Sequence, residues 1–283
     1  MPDEILEQLA GVLRRAEQAS SVAAARDLPP IVSSGCGAID RLLPAGGLPR
    51  GALVEWLAAP AGGAGVLALR AARQAAMGEA GSKGRAIVVV ERHREQGPRR
   101  QKGQSAAMSP RFYPPTAAAW GIDLSRLVLV RVASQSDEMW ALDQVARCDA
   151  VAAWLWWGEQ LEGRHFRRLQ LAAETSGSLG LLVRPLEMQS QPSWAEVRFV
   201  VESQGEDPAA AEVKRMGQLE RGGQHESMGR RVSVRLLRAR RGGSQGIVNL
   251  EIDDATHTLC ETKCSSMVAP LAHSTAVSRQ AGA

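Results

Sequence analysis

Apolar residues follow two patterns along the middle of this chain, and the two patterns alternate. Continuous apolar runs predict five buried strands, at residues 52–57, 86–90, 127–132, 150–157 and 179–183. Apolar residues at helical spacing predict three helices between them, at residues 65–76, 136–147 and 162–175. Ser136 and Asp137 are the expected caps of the second of these helices. This alternation predicts an α/β domain whose mostly parallel sheet has helices on both faces.

The segments around this alternating region have other patterns. They predict an N-terminal amphipathic helix and linker at 1–28, later strands at an edge of the sheet at 196–202 and 231–239, polar surface insertions at 92–111 and 203–230, and a disordered tail at 265–283. We therefore expect one α/β domain over residues 30–260.

The composition indicates a globular protein but does not identify a partner. The 283 residues include 34 Lys and Arg against 30 Asp and Glu, a net charge of +4, and 45% of them are hydrophobic. Such a balance is ordinary for a globular protein, and a small positive charge permits an acidic partner without requiring one. The chain has no long uncharged apolar run and no signal-peptide pattern at its start, and its 4 cysteines form no disulfide framework. We expect a cytoplasmic protein.

A glycine-rich turn follows the first predicted strand. Gly62-Gly63-Ala64-Gly65 stands between that strand and a helix, the arrangement in which backbone N–H groups hold phosphates. A working phosphate loop needs Gly-Lys-Ser/Thr, because the lysine neutralises the phosphates and the hydroxyl holds Mg²⁺. Ala64 has no charge and Gly65 no hydroxyl. The turn is therefore interpreted as a structural connection, and the weaker alternative is nucleotide binding through the backbone alone.

The residues before and after this turn resemble the RecA recombinase core. The resemblance is closest at its start, in Ser33, Gly35, Asp40, Gly46-Gly47-Leu48-Pro49, Gly51 and Val54-Glu55. In that family the strand corresponding to residues 150–157 carries a metal-coordinating Asp, which is missing here. Glu91 matches the water-activating Glu of the family, and Arg184-Pro185 stands where the recombinase has its nucleotide-sensing pair. A lone carboxylate supports no phosphoryl transfer, and a solvated strand-end carboxylate is the preferred interpretation of Glu91.

A RecA-like core with a degenerate phosphate loop (Walker A) resembles the ImuA family of bacterial accessory proteins. The matching phrases are Gly121-Ile122-Asp123, Arg167-Arg168-Leu169-Gln170-Leu171, Leu182-Val183-Arg184-Pro185 and Arg240-Arg241-Gly242-Gly243. The resemblance implies a non-enzymatic adaptor for ImuB, RecA and an error-prone DNA polymerase in SOS-induced translesion synthesis after DNA damage. It implies no catalytic residue, cofactor or metal. Two alternatives stay open: an active RecA-type ATPase or recombination mediator, and a cell-division inhibitor similar to SulA.

Candidate contact residues for DNA or a protein partner are arginines. They lie on or next to the last predicted strand and on the helix at 162–175, and they are Arg167, Arg168, Arg230, Arg231, Arg235, Arg238, Arg240 and Arg241. On the strand, Val232, Val234 and Leu236 alternate with polar residues, so one face is apolar and the other polar. The polar face fits DNA phosphates, an acidic protein or the protection of an exposed edge strand equally well.

The tryptophans and one histidine–cysteine group need their own interpretation. Trp154 and Trp156 share one strand face and are expected in the core, whereas Trp157 and Trp140 are candidate exposed anchors for a protein partner. His257, Cys260 and Cys264 have no established zinc spacing and no fourth ligand nearby. They are interpreted as part of a solvated tail.

Overall fold

The computed structural model describes residues 29–77, 84–92, 112–204, 229–243 and 246–262. The predicted N-terminal helix, most of both predicted insertions and the predicted tail lie outside these ranges.

The described chain alternates strands and helices in the predicted order. The strands are β1 Ile31–Val32, β2 Leu48–Pro49, β3 Leu53–Ala58, β4 Ala86–Arg92, β5 Leu127–Val132, β6 Val151–Trp157, β7 Leu179–Pro185, β8 Val197–Ser203, β9 Arg230–Ala239, β10 Ile247–Asp253 and β11 Thr258–Glu261. The α-helices are α1 Gly37–Asp40, α2 Ala64–Met77, α3 Pro114–Ala119, α4 Gln135–Arg147 and α5 Gly163–Ser176. Short 3₁₀ turns occupy Leu124–Arg126 and Leu186–Ser190.

Nine of these strands form one sheet in the order β11-β10-β9-β8-β3-β7-β6-β4-β5. The six strands from β8 to β5 run parallel to their neighbours, and β9, β10 and β11 continue the sheet antiparallel. Strands β1 and β2 pair separately. The predicted α/β class with a mostly parallel sheet is therefore confirmed.

Helices cover both faces of the sheet, as predicted. Helix α2 packs on one face through Leu67 and its small neighbours, and α4 and α5 pack on the other through Leu142 and Phe166. Strand β3 lies between the two layers and every one of its residues is buried. Trp56 of β3 stacks on Phe199 of β8, with ring centres 4.6 Å apart. Such a pair contributes about 0.5–1.5 kcal/mol beyond its buried area.

The start of α4 differs from the prediction: the helix begins one residue earlier, at Gln135. Ser134, and not Ser136 or Asp137, caps the helix: the Ser134 hydroxyl accepts a hydrogen bond of 3.1 Å from the Asp137 N–H. Asp137 and Glu138 then lie in the first turn, where negative charge complements the helix dipole. Asp137 was therefore correctly placed at the helix start, but it is a first-turn residue and not the cap.

The predicted edge position of the two later strands is wrong. Strand β8 lies between β3 and β9, and β9 lies between β8 and β10, so both have hydrogen-bonded neighbours on each side. The hairpin of β10 and β11, which the sequence interpretation missed, extends the sheet beyond them. His257 and Cys260 belong to this hairpin and not to a solvated tail, while Cys264 lies outside the described residues.

Candidate functional site

The glycine-rich turn joins β3 to α2, as predicted, and side chains of the late strands close it. A Cβ on Gly63, whose φ is +90°, would lie 2.9 Å from Ile252 Cδ1 and 3.2 Å from Val232 Cγ1. Both the backbone conformation and the contact therefore require glycine at this position. Arg230 donates a hydrogen bond of 2.9 Å to the carbonyl of Ala61, and its guanidinium also binds Asp254. Residues of β9 and β10 therefore contact the turn directly, and Asp254, which follows β10, holds Arg230 in place.

An indole lies at the start of α2. The Nε1 atom of Trp157, the last residue of β6, is 3.7 Å from the Cβ position of Gly65. Trp157 also packs on Phe112, with ring centres 5.7 Å apart. The prediction of Trp157 as an exposed anchor beyond the strand is wrong, since this side chain is partly buried and packs against the core.

Glu91 is not the solvated carboxylate expected from the sequence. Its Oε1 accepts a hydrogen bond of 2.6 Å from Arg131 Nε, and its Oε2 accepts one of 2.8 Å from the Phe112 N–H. Glu91 and Arg131 stand opposite each other in the parallel pair of β4 and β5, and only 13% of the Glu91 side chain is exposed. Both carboxylate oxygens are therefore engaged in holding local structure.

A buried ionic cluster, which sequence reasoning missed, crosses three neighbouring strands. Glu55 of β3 is fully buried and pairs with Arg184 of β7 and Arg198 of β8. Arg184 also donates a hydrogen bond of 2.8 Å to the Glu159 carbonyl, and Arg198 donates one of 3.0 Å to the Met188 carbonyl. Charged residues inside otherwise apolar strands were the only available signal. The position expected for a nucleotide sensor thus holds a structural arginine.

Four of the eight candidate arginines have carboxylate partners. Arg168 pairs with Asp143 at 2.7 Å, Arg230 with Asp254 at 2.6 Å, Arg231 with Glu251 at 3.8 Å and Arg241 with Glu196 at 3.4 Å. Hydrogen bonds from Arg147 and Arg168 outweigh the opposing effect of burial and hold the pKa of Asp143 below its usual range.

The other four, Arg167, Arg235, Arg238 and Arg240, have no carboxylate partner within the described ranges. The guanidiniums of Arg167 and Arg240 lie over the ring of Trp194, at 5.1 and 5.6 Å from its centre. Arg238 donates hydrogen bonds of 2.9 Å to the carbonyls of Ser193 and Ala195. Burial, reinforced by the nearby charges of Arg198 and Arg240, lowers the pKa of Arg238. The structure thus separates the predicted arginines into a paired group and an unpaired one.

The remaining tryptophans agree with their predicted exposure. Trp154 and Trp156 are buried in the core beside α4 and α5, which confirms that prediction. Trp140 is 66% exposed and lines a groove of about 480 Å³ between α4 and α5, together with Met139, His165 and Leu169. Its role as a partner anchor stays a prediction.

Neither metal ligands nor membrane spans are evident in the part of the chain that the structure describes. No group of three or more His, Cys, Asp or Glu side chains there could hold a metal ion. None of its described helices has both the length and the apolar character needed to cross a membrane.

No protein-family model matches the chain, and no curated protein matches it in sequence.

Proposed function

We propose that this protein is a non-catalytic, RecA-like accessory protein of damage-induced, error-prone translesion DNA synthesis. It would act as an adaptor that contacts ImuB, RecA and an error-prone polymerase. The ImuA-like motifs supply the identity of these partners, and the geometry of the glycine-rich turn supplies the case against catalysis.

The single observation that carries the proposal is the occupied space around the turn. In α/β folds a ligand binds beyond the carboxyl ends of the parallel strands, where loops and helix starts meet. Here Trp157 from the end of β6 lies against the start of α2, and Ile252 and Val232 pack on Gly63. Side chains of the protein therefore lie next to Gly63 and next to Gly65, the residue at which the family places its hydroxyl. The fold is therefore interpreted as a RecA-like scaffold with a degenerate phosphate loop.

The surroundings of Glu91 support the same conclusion. A general base must direct a lone pair at the water it activates, within hydrogen-bond reach, and structural contacts compete for that orientation. Both oxygens of Glu91 already accept hydrogen bonds, from Arg131 and from the Phe112 backbone. The part of the fold that remains open to a partner is its outer surface, and this suits an adaptor better than an enzyme.

The adaptor role is tested by capture of purified ImuB and RecA with the immobilised full chain. We expect both to be retained, and retention of neither would overturn the proposal.

The competing ATPase hypothesis is tested by ATP turnover in the presence of single-stranded DNA, comparing the natural chain with Glu91→Gln. Because the carboxylate has a structural role, we expect background turnover in both proteins. Turnover in the natural chain that Glu91→Gln abolishes would establish an ATPase instead.

A further inference from the structure

Three of the four unpaired arginines and two exposed apolar side chains occur on one surface, which we call the Trp194 surface. It consists of Arg167, Leu171, Trp194, Arg238 and Arg240. Arg167 and Leu171 are four residues apart on α5 and therefore lie on the same side of that helix. Trp194 and Leu171 are 40% and 45% exposed. The surface joins α5, the segment before β8 and the end of β9.

The protein's own structure holds the parts of this surface in place. Arg167 and Arg240 lie over the same indole ring, and Arg238 binds the carbonyls on either side of Trp194. Guanidiniums held in this way lose less side-chain entropy when they bind an anion than freely rotating ones do. The surface is therefore preorganised for a negatively charged partner.

Charge on the surface is balanced only in part by the described chain, because Glu55 and Glu196 act on Arg238 without pairing with it and are paired with other arginines. Arg167, Arg238 and Arg240 have no carboxylate partner there, and the neighbouring Arg198 shares the single carboxylate of Glu55 with Arg184. Ion pairs elsewhere neutralise Arg168, Arg230, Arg231 and Arg241. The excess positive charge of the candidate arginines is thus concentrated around Trp194, where it would attract carboxylates or phosphates.

The apolar members of the surface distinguish a protein partner from a nucleic acid. Single-stranded nucleic acid binds such proteins by stacking bases on aromatic rings, but guanidiniums already lie over the Trp194 ring. The apolar side chain of Leu171 would make no favourable contact with a phosphate backbone. Tryptophan, arginine and apolar side chains together are instead typical of protein interfaces. We propose that the Trp194 surface binds an acidic segment of a partner protein in which apolar residues stand among the carboxylates. This inference rests on the proposed adaptor role, since it assigns that role a contact surface.

The test is a titration of the full chain into a fluorescein-labelled peptide of six glutamates and two leucines, followed by fluorescence anisotropy at about 0.1 M salt. We expect binding that weakens about tenfold or more in Trp194→Ala and in Arg240→Gln, as for an interface hot spot. A peptide with glutamines in place of the glutamates should bind about tenfold more weakly. The matched control is Arg231→Gln, which removes an arginine paired with Glu251 and should leave the dissociation constant within about twofold.

Three results would overturn the inference: no binding of the acidic peptide, equal weakening by Arg240→Gln and Arg231→Gln, or tight binding of an oligothymidylate probe that depends on Trp194 while the peptide fails. Arg240→Gln keeps the test valid if Trp194→Ala fails to fold, because Arg240 is exposed and lies in a turn. Failure of the peptide with successful capture of ImuB and RecA would leave the adaptor role intact and exclude this surface. Binding of the peptide without either capture would support the surface and reject the proposed partners.

Discussion

The carboxylate of Glu55 lies in the middle of the sheet and is the counter-ion of two guanidiniums, those of Arg184 and Arg198. Burying charges costs several kcal/mol per ion, and close pairing with further hydrogen bonds offsets that cost. The two arginines also bind carbonyls of residues 159 and 188, so the cluster connects three strands to the loops beyond them. The stability of the fold therefore depends on the single carboxylate of Glu55.

Glu55→Gln should lower the free energy of unfolding by about 3–5 kcal/mol, because it leaves two buried guanidiniums without a counter-ion. Urea denaturation followed by circular dichroism measures the change. The control is Glu251→Gln, which removes the partner of Arg231 at a surface pair 3.8 Å apart and should cost no more than about 1 kcal/mol. Equal losses in the two variants would contradict the structural role of the cluster.

Alanine substitutions at Gly63 and Gly46 distinguish the stability cost of backbone strain from the cost of a packing clash. Both have positive φ, +90° and +72°, but a Cβ on Gly46 would meet nothing within 4 Å, whereas one on Gly63 would meet Ile252. Gly46→Ala should cost about 1–2 kcal/mol from the left-handed backbone alone. Gly63→Ala should cost about 1–3 kcal/mol more, from overpacking.

Ile252→Val tests the origin of this difference, because it removes the Cδ1 atom that Gly63→Ala would strike. Thermodynamic cycles from urea denaturation should show that Ile252→Val recovers part of the loss in Gly63→Ala. Additive losses would show that β10 does not press on the turn.

At the level of secondary-structure elements, Asp143 connects helices α4 and α5. Its carboxylate pairs with Arg147 of its own helix and with Arg168 of α5. Asp143 and Arg168 also line the groove that Trp140 lines. This contact is ionic, so its contribution to stability depends on pH.

Asp143→Asn should lower stability at neutral pH by about 2 kcal/mol, because it weakens two charge-assisted hydrogen bonds. The pKa of Asp143 is below its ordinary value of 3.8 in the folded protein. The carboxylate therefore stabilises the fold fully above that ordinary value, and the contribution disappears as pH falls through the folded-state pKa. Urea midpoints measured from pH 7 down to pH 3 should converge for the natural chain and the variant. A constant difference over that range would contradict the prediction.

The sequence predicted most elements because each buries a contiguous or periodic apolar set. Strand β5 has the predicted bounds, α4 differs from its prediction by one residue at its start, and α2 and α5 differ by one residue at each end. Strands β10 and β11 were missed because Asn249, Glu251 and Glu261 interrupt their apolar pattern. The Glu55 cluster and the pairing of the arginines depend on strand register, which no local pattern reports.

Charge at the scale of the whole molecule is distributed unevenly, although the sum is only +4. Ion pairs within the described chain neutralise four of the candidate arginines, and three of the remaining four surround Trp194. The turn at the start of α2 is meanwhile closed by aliphatic and aromatic side chains. The molecule thus combines side chains packed on the glycine-rich turn with unpaired arginines around Trp194. Our central proposal is that it binds proteins without using a nucleotide.

The measurement that tests this claim most directly is capture of ImuB and RecA by the immobilised protein, with and without Mg²⁺ and ATP. Because side chains pack on the turn at Gly63 and Gly65, we predict that both partners are retained to the same extent under the two conditions. Capture of neither partner, or capture that requires ATP, would contradict it.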